Sequence, residues 1–164
     1  MKARVSAGLL LYRFRDGLLQ IFLAHPGGPF FARKDDGHWT IPKGEIETNE
    51  DFLATAIREC KEEVCIEVDP KGHFLDLGSI RQKGGKIVHA WGIELDVDHP
   101  PVLKSNLFKM EWPPNSGRMQ SFPEVDRAQF FALEEAKRKI KETQIPLIDR
   151  LETLLAQERE AKKS

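Results

Sequence analysis

The chain is short of the residues that would staple or anchor it. Its 164 residues include two cysteines, Cys60 and Cys65, too few for a disulfide framework and not spaced as a CxxC or Cys/His zinc cluster. Structural zinc and thiol redox chemistry are set aside on that ground. Long apolar runs are missing too: a run such as residues 7–12 falls far below the roughly 20 residues needed to cross a bilayer. The opening Met-Lys-Ala-Arg lacks the apolar core of a secretion signal. The expectation is a soluble, cytoplasmic protein without membrane contact. Neither sign of charge is in excess, since 25 Lys and Arg stand against 26 Asp and Glu. No global field is available for bulk DNA, and a polyanion must be met locally. Tyrosine occurs once, as Tyr12.

What is present, 40% hydrophobic and 31% charged residues, suits one domain over residues 1–164 that buries about two-thirds of its unfolded surface. Residues 5–12 and 18–24 read as two apolar strands of a hairpin turning at Arg13 to Gly17. Residues 25–37 carry Pro26, Gly27, Gly28, Pro29 and Gly37 and read as a surface loop, followed by a short strand at 38–41. A helix over about residues 50–64 is signalled by Thr48 with Asp51 three positions on, a relative of the capping box. Residues 74–81 and 86–95 alternate as strands around Lys83-Gly84-Gly85. The Pro-rich connection over 98–122 predicts at most one strand, and 125–133 a last one. Two helices close the chain, over 134–141 and from Pro146 to about 161.

The chemistry is concentrated between Gly44 and Glu63. On a helix Glu59, Glu62 and Glu63 span an arc of roughly 100°, so three carboxylates can converge on one point. Their mutual repulsion is relieved by a divalent ion, and hard oxygen donors favour Mg²⁺ or Mn²⁺. A solvated acidic face paired with Arg58 and Lys61 is the alternative that spacing alone leaves open.

Gly44, then Glu50, then Arg58-Glu59-x-x-Glu62-Glu63 resembles the Nudix box at every charged position, and Trp39-x-x-Pro42-Lys43-Gly44 is similar to the approach in diadenosine-tetraphosphate-hydrolase-like members. One position departs: the late Gly of the box is Cys65. The resemblance runs along most of the chain and implies an α/β/α sandwich with a mixed β-sheet, the box helix on one face and the C-terminal helices on the other. It implies a Mg²⁺- or Mn²⁺-dependent pyrophosphohydrolase acting on a nucleoside diphosphate linked to another moiety. Glu59, Glu62, Glu63 and the Gly44 carbonyl would be metal ligands, Glu50 would support the loop or join them, and Arg58 would orient Glu59. The catalytic base would be Glu59, Glu62 or a late-loop acid, for which Glu124 stands at a comparable place.

Lys43 is the first candidate for a phosphate contact, with Arg33, Lys34, Arg81, Lys83 and Lys86 behind it. Trp112 and Arg118 combine an aromatic platform with a cation in one loop and are candidate substrate contacts. His38 reads as a loop or substrate contact, and His89 as a core histidine. In dinucleoside-polyphosphate members a tyrosine after the box helps to read the dinucleotide, whereas Tyr12 precedes it. A nucleotide-binding regulatory domain without turnover is the alternative reading; its usual mark, loss of box carboxylates, is missing here.

Overall fold

The computed structural model describes residues 4–97 and 105–163. In chain order the elements are β1 (Val5–Arg15), β2 (Leu18–Pro26), β3 (Lys43–Glu45), α1 (Phe52–Val64), β4 (Leu75–Arg81), β5 (Ile87–Glu94), β6 (Leu107–Glu111), β7 (Met119–Pro123), β8 (Val125–Ala132), α2 (Leu133–Lys139) and α3 (Ile145–Lys163). The main sheet has the order β4-β5-β1-β2-β8, with β3 paired to β1. It is mixed, because β1 runs parallel to β5 and antiparallel to β2 and β3.

Strand alternation sorts β1 and β2 into two layers. Ala7, Leu9, Leu11, Phe22 and Ala24 pack with Ala56, Cys60 and Val64 of α1. Leu10, Tyr12, Ile21 and Leu23 point the other way, onto Ala136 and Ile140 at α2 and onto Leu147, Ile148 and Leu151 of α3. The α/β fold expected from the sequence, with the helix of the acidic motif on one face and the last helices on the other, is the one observed. Among the described residues no helix is long and apolar enough to cross a membrane.

Several boundaries differ from the sequence reading, each for a local reason. The cap of α1 is Asp51, whose carboxylate accepts from the Leu53 and Ala54 amides at 2.8 and 3.2 Å. Thr48 cannot start the helix because Asn49 between them sits at φ 65°, outside the right-handed path. Cys65 ends the helix in the glycine conformation, φ 59° and ψ 29°, with its amide donating to the Lys61 carbonyl. The helix therefore stops where a glycine would stop it, at a cost of about 1 kcal/mol for the side chain.

The strand expected at 38–41 is reduced to two isolated bridges, Ala24 with Thr40 and Trp39 with Ile140, and the regular pairing falls on β3. The connection predicted to hold one strand holds two, since β6 and β7 pair as a separate ribbon; its residues 98–104 lie outside the described ones. The apolar signal of that ribbon is mixed, because Leu107 and Met119 are exposed beside the half-buried Phe108 and Met110. α2 starts one residue and ends two earlier than expected, and α3 takes in Ile145 with Pro146 in its first turn.

Candidate active site

One cavity, of about 410 Å³, gathers Gly44 from β3, Glu59, Glu62 and Glu63 from α1, Lys86 ahead of β5, and Asn106 and Glu124 from the two feet of the β6–β7 ribbon. Lys43 also lines it. The ribbon is fastened there by the Glu124 amide, which donates to the Asn106 carbonyl at 2.8 Å. The adjoining start of β8 is held by the buried His25, whose ring nitrogens lie 2.7 Å from Asp126 Oδ1 and 2.6 Å from the Lys34 carbonyl.

Arg58 organises the acids from behind. Its guanidinium donates to both oxygens of Glu50 at 2.8 and 2.9 Å, to Glu59 Oε1 at 2.9 Å and to Glu62 Oε2 at 3.0 Å. Thr55 donates its hydroxyl to Glu50 Oε1 at 2.6 Å. Charge-assisted bonds of this number fix the rotamers of Glu59 and Glu62, while one oxygen of each is left unused by Arg58. The Glu63 carboxylate is held separately, accepting from the Lys43 amide at 3.1 Å.

The bonds from Arg58, then that from Thr55, pull Glu50 down to about 2 from its ordinary 4.5. A carboxylate depressed in the folded state stabilises it above the unfolded value and ceases to as pH falls through the folded one. The stability this clamp supplies is therefore expected to disappear between about pH 4.5 and 2. An Arg58→Met variant should lose that part of the acid dependence, read as urea midpoints against pH.

Inside the cavity the balance is reversed. Burial raises Glu59 against the pull of Arg58, with Glu62 and Glu124 adding repulsion. Burial likewise raises Glu63 and, together with Lys86, lowers Lys43. These carboxyls are packed where ionisation is opposed, so a cation among them would be favoured. Gly44 supplies the room: a Cβ there would run into the Glu59 carboxylate. As they stand, no three acidic, His or Cys side chains among the described residues converge on a single ion position. The donor set nevertheless fits a hard divalent cation, being carboxylate oxygens beside a backbone carbonyl on one cavity.

The cavity thus brings together the sequence candidates Lys43, Gly44, Glu59, Glu62, Glu63 and Glu124. Glu50 is turned to Arg58 and Thr55 and does not line it. Arg81 is exposed at the end of β4, and Arg118 is exposed beyond the turn of the ribbon. Trp112 sits at that turn, its ring 5.3 Å from that of Phe30. With four steps from Leu107 to Glu111 at about 3.3 Å per residue, the turn lies well over 10 Å along the ribbon from its feet. His89 is not a plain core histidine: it stacks on Trp91 at 4.3 Å and bonds Asp76 at 2.8 Å and Ser79 at 3.2 Å. Asn106 is absent from the sequence candidates, and its polar loop offers no signal for it. Cys60 is excluded as a nucleophile because burial pushes its thiol up to about 12.

A model of the NUDIX domain matches residues 2–151, and the chain belongs to that family. A bis(5'-nucleosyl)-tetraphosphatase (asymmetrical) of Caenorhabditis elegans is 39% identical over 61 residues, 37% of this chain and 40% of that protein. The Rattus norvegicus protein of the same name is 37% identical over 62 residues, 35% of this chain and 42% of that protein. These alignments span about two-fifths of the curated relatives. Among solved structures, a C. elegans Ap4A hydrolase binary complex superposes with a TM-score of 0.65 at 24% identity, over 92% of this chain and 98% of that one. The NUDIX domain of Shewanella oneidensis NrtR, complexed with ADP ribose, does so at 0.64 and 15% identity, over 94% and 90%. These two likenesses establish the fold.

Proposed function

We propose that the chain is a Mg²⁺- or Mn²⁺-dependent pyrophosphohydrolase that cleaves a phosphoanhydride bond of a nucleoside diphosphate linked to another moiety, with dinucleoside polyphosphates the first class to test. The observation that carries this reading is the single cavity in which Glu59, Glu62, Glu63 and Glu124 face Lys43 and Lys86. Membership of the NUDIX family and the partial identity to two tetraphosphatases support it. Intact acids at every box position speak against the alternative of nucleotide binding without turnover.

Glu59, Glu62, Glu63 and the Gly44 carbonyl would hold the ion, which neutralises phosphate charge when bound. Arg58 keeps Glu59 and Glu62 in place for it. Lys43 and Lys86 bind the oxygens on either side of the scissile bond, countering the charge that grows on the leaving phosphate. Glu124 takes the proton of the attacking water as its oxygen bonds to phosphorus, and the anhydride oxygen leaves with the bonding pair. Glu124 is suited to this because it comes from a different element and is not tied to Arg58.

The test is product analysis over diadenosine polyphosphates, nucleoside triphosphates, ADP-ribose, nucleotide sugars and 5'-triphosphate RNA, each with Mg²⁺, Mn²⁺ or EDTA. Cleavage of one class that EDTA abolishes is the expected result. Tight nucleotide binding without cleavage of any of them would move the assignment to the regulatory alternative.

A further inference from the structure

Next to the acidic cavity lies a second one, of about 600 Å³, that shares Lys43 and Lys86 with it and adds Lys83, Lys141 and His38. Glu142 is the one acid on its lining among the described residues, and no Phe, Tyr or Trp is among them. Lys61, Lys137, Lys139 and Lys163 elsewhere pair with carboxylates at 2.6 to 3.4 Å. Among the described residues none of the four cavity lysines has such a partner. They share one cavity instead, and burial with the neighbouring Lys86 lowers Lys141.

This crowding is built in. Three chain segments form the walls, and the wholly buried side chain of Gln144 ties them together. Its Nε2 donates to Thr40 Oγ1 at 2.8 Å and to Gln82 Oε1 at 2.9 Å, and its Oε1 accepts from the Ile41 amide at 3.1 Å. The Lys141 amide donates to the Trp39 carbonyl at 2.8 Å. Cations held together on a fixed frame at a cost in repulsion and desolvation call for an anion of several charges. Lysines offer compact charges suited to phosphate, and with the His38 imidazole the one ring on the walls among the described residues, the lining is far better matched to phosphate oxygens than to a nucleobase.

We infer that this cavity seats the part of the substrate beyond the scissile bond, and that what it holds is a run or cluster of phosphate groups, with any base lying outside it. That the bound group belongs to a substrate rests on the phosphoanhydride reading above; that it binds does not. Lys141, on the connector after α2, is the specificity residue this adds, because it reaches the site only through the fold.

The test is calorimetric titration of the full chain with inorganic tripolyphosphate in EDTA, which separates binding from turnover. Binding that weakens as salt rises is expected, with ATP no tighter than tripolyphosphate. Lys83→Gln with Lys141→Gln should lower the affinity at least tenfold, and Lys71→Gln with Lys162→Gln, remote from the cavity, should leave it unchanged. Lys83→Gln alone, on an exposed loop, gives a severalfold loss and serves if the double variant melts early. Absence of tripolyphosphate binding, equal affinity in the Lys83 variant, or ATP binding tenfold tighter would overturn the inference. myo-Inositol hexakisphosphate beside tripolyphosphate separates a cluster from a run. Persistent binding with no turnover in the substrate panel would retire the hydrolase reading and leave this one standing, whereas turnover without such binding would do the reverse.

Discussion

A Glu62→Gln variant is expected to turn over about a thousandfold more slowly than the parent, close to 4 kcal/mol of transition-state stabilisation. The substitution keeps the shape and an oxygen that can accept from Arg58 at the observed 3.0 Å. It removes one negative charge from a group of acids already opposed to ionisation at Glu59 and Glu63. Without metal the fold should therefore lose nothing: the side chain is 38% exposed, and exposed substitutions of this kind stay within about 0.5 kcal/mol. With Mg²⁺ the parent's melting temperature should rise by more than the variant's, since an ion that binds only the folded state stabilises it according to its affinity. Steady-state kcat with and without Mg²⁺, beside melting curves under both conditions, checks both halves. Unchanged turnover would remove Glu62 from the metal set.

Gly44→Ala is expected to be at least as damaging to activity, by a different route. Here no charge changes, but a Cβ would occupy the place of the Glu59 carboxylate. That side chain is only 15% exposed and is bonded to Arg58 at 2.9 Å, so it cannot swing clear without breaking the clamp. Overpacking of this kind costs about 1–3 kcal/mol, visible as a lower urea midpoint, and the displaced carboxylate should reduce kcat by about a hundredfold or more. Parental kcat in the Gly44→Ala variant would show that Glu59 need not sit against the backbone to function.

The parts of this molecule that could be read from its sequence are those whose signal is local and periodic. Strand alternation in β1 and β2 and the apolar stripe of α1 define both layers, and fixed spacing marks Glu59, Glu62, Glu63 and Arg58. Glu124 could be found only through the family resemblance, since a loop acid before a strand has no pattern of its own. The ribbon of β6 and β7 stayed hidden because Leu107 and Met119 face outward, so its apolar residues are not confined to the face that Phe108 and Met110 cover. Lys141 and Asn106 stayed hidden for another reason: each enters a cavity through contacts far along the chain, Lys141 by way of Trp39 and Asn106 by way of Glu124. Cys65 misleads in a small way, because a residue type unsuited to the left-handed region is held there by the helix before it.

The buried glutamine that joins Thr40, Gln82 and the connector before α3 also sets a schedule for synthesis. Domains assemble from the N-terminus as they are made, and the box helix with β1 to β3 could pair early. Two of the lysine-lined walls are already set by the pairing of β3 and β5 with β1, but the third, at Lys141, is fixed only once residue 144 has left the ribosome and its amide can bond Thr40 and Gln82. A nascent chain thus holds every residue of its acidic cavity once Glu124 is made, and its lysine-lined cavity is completed later, by the connector before α3.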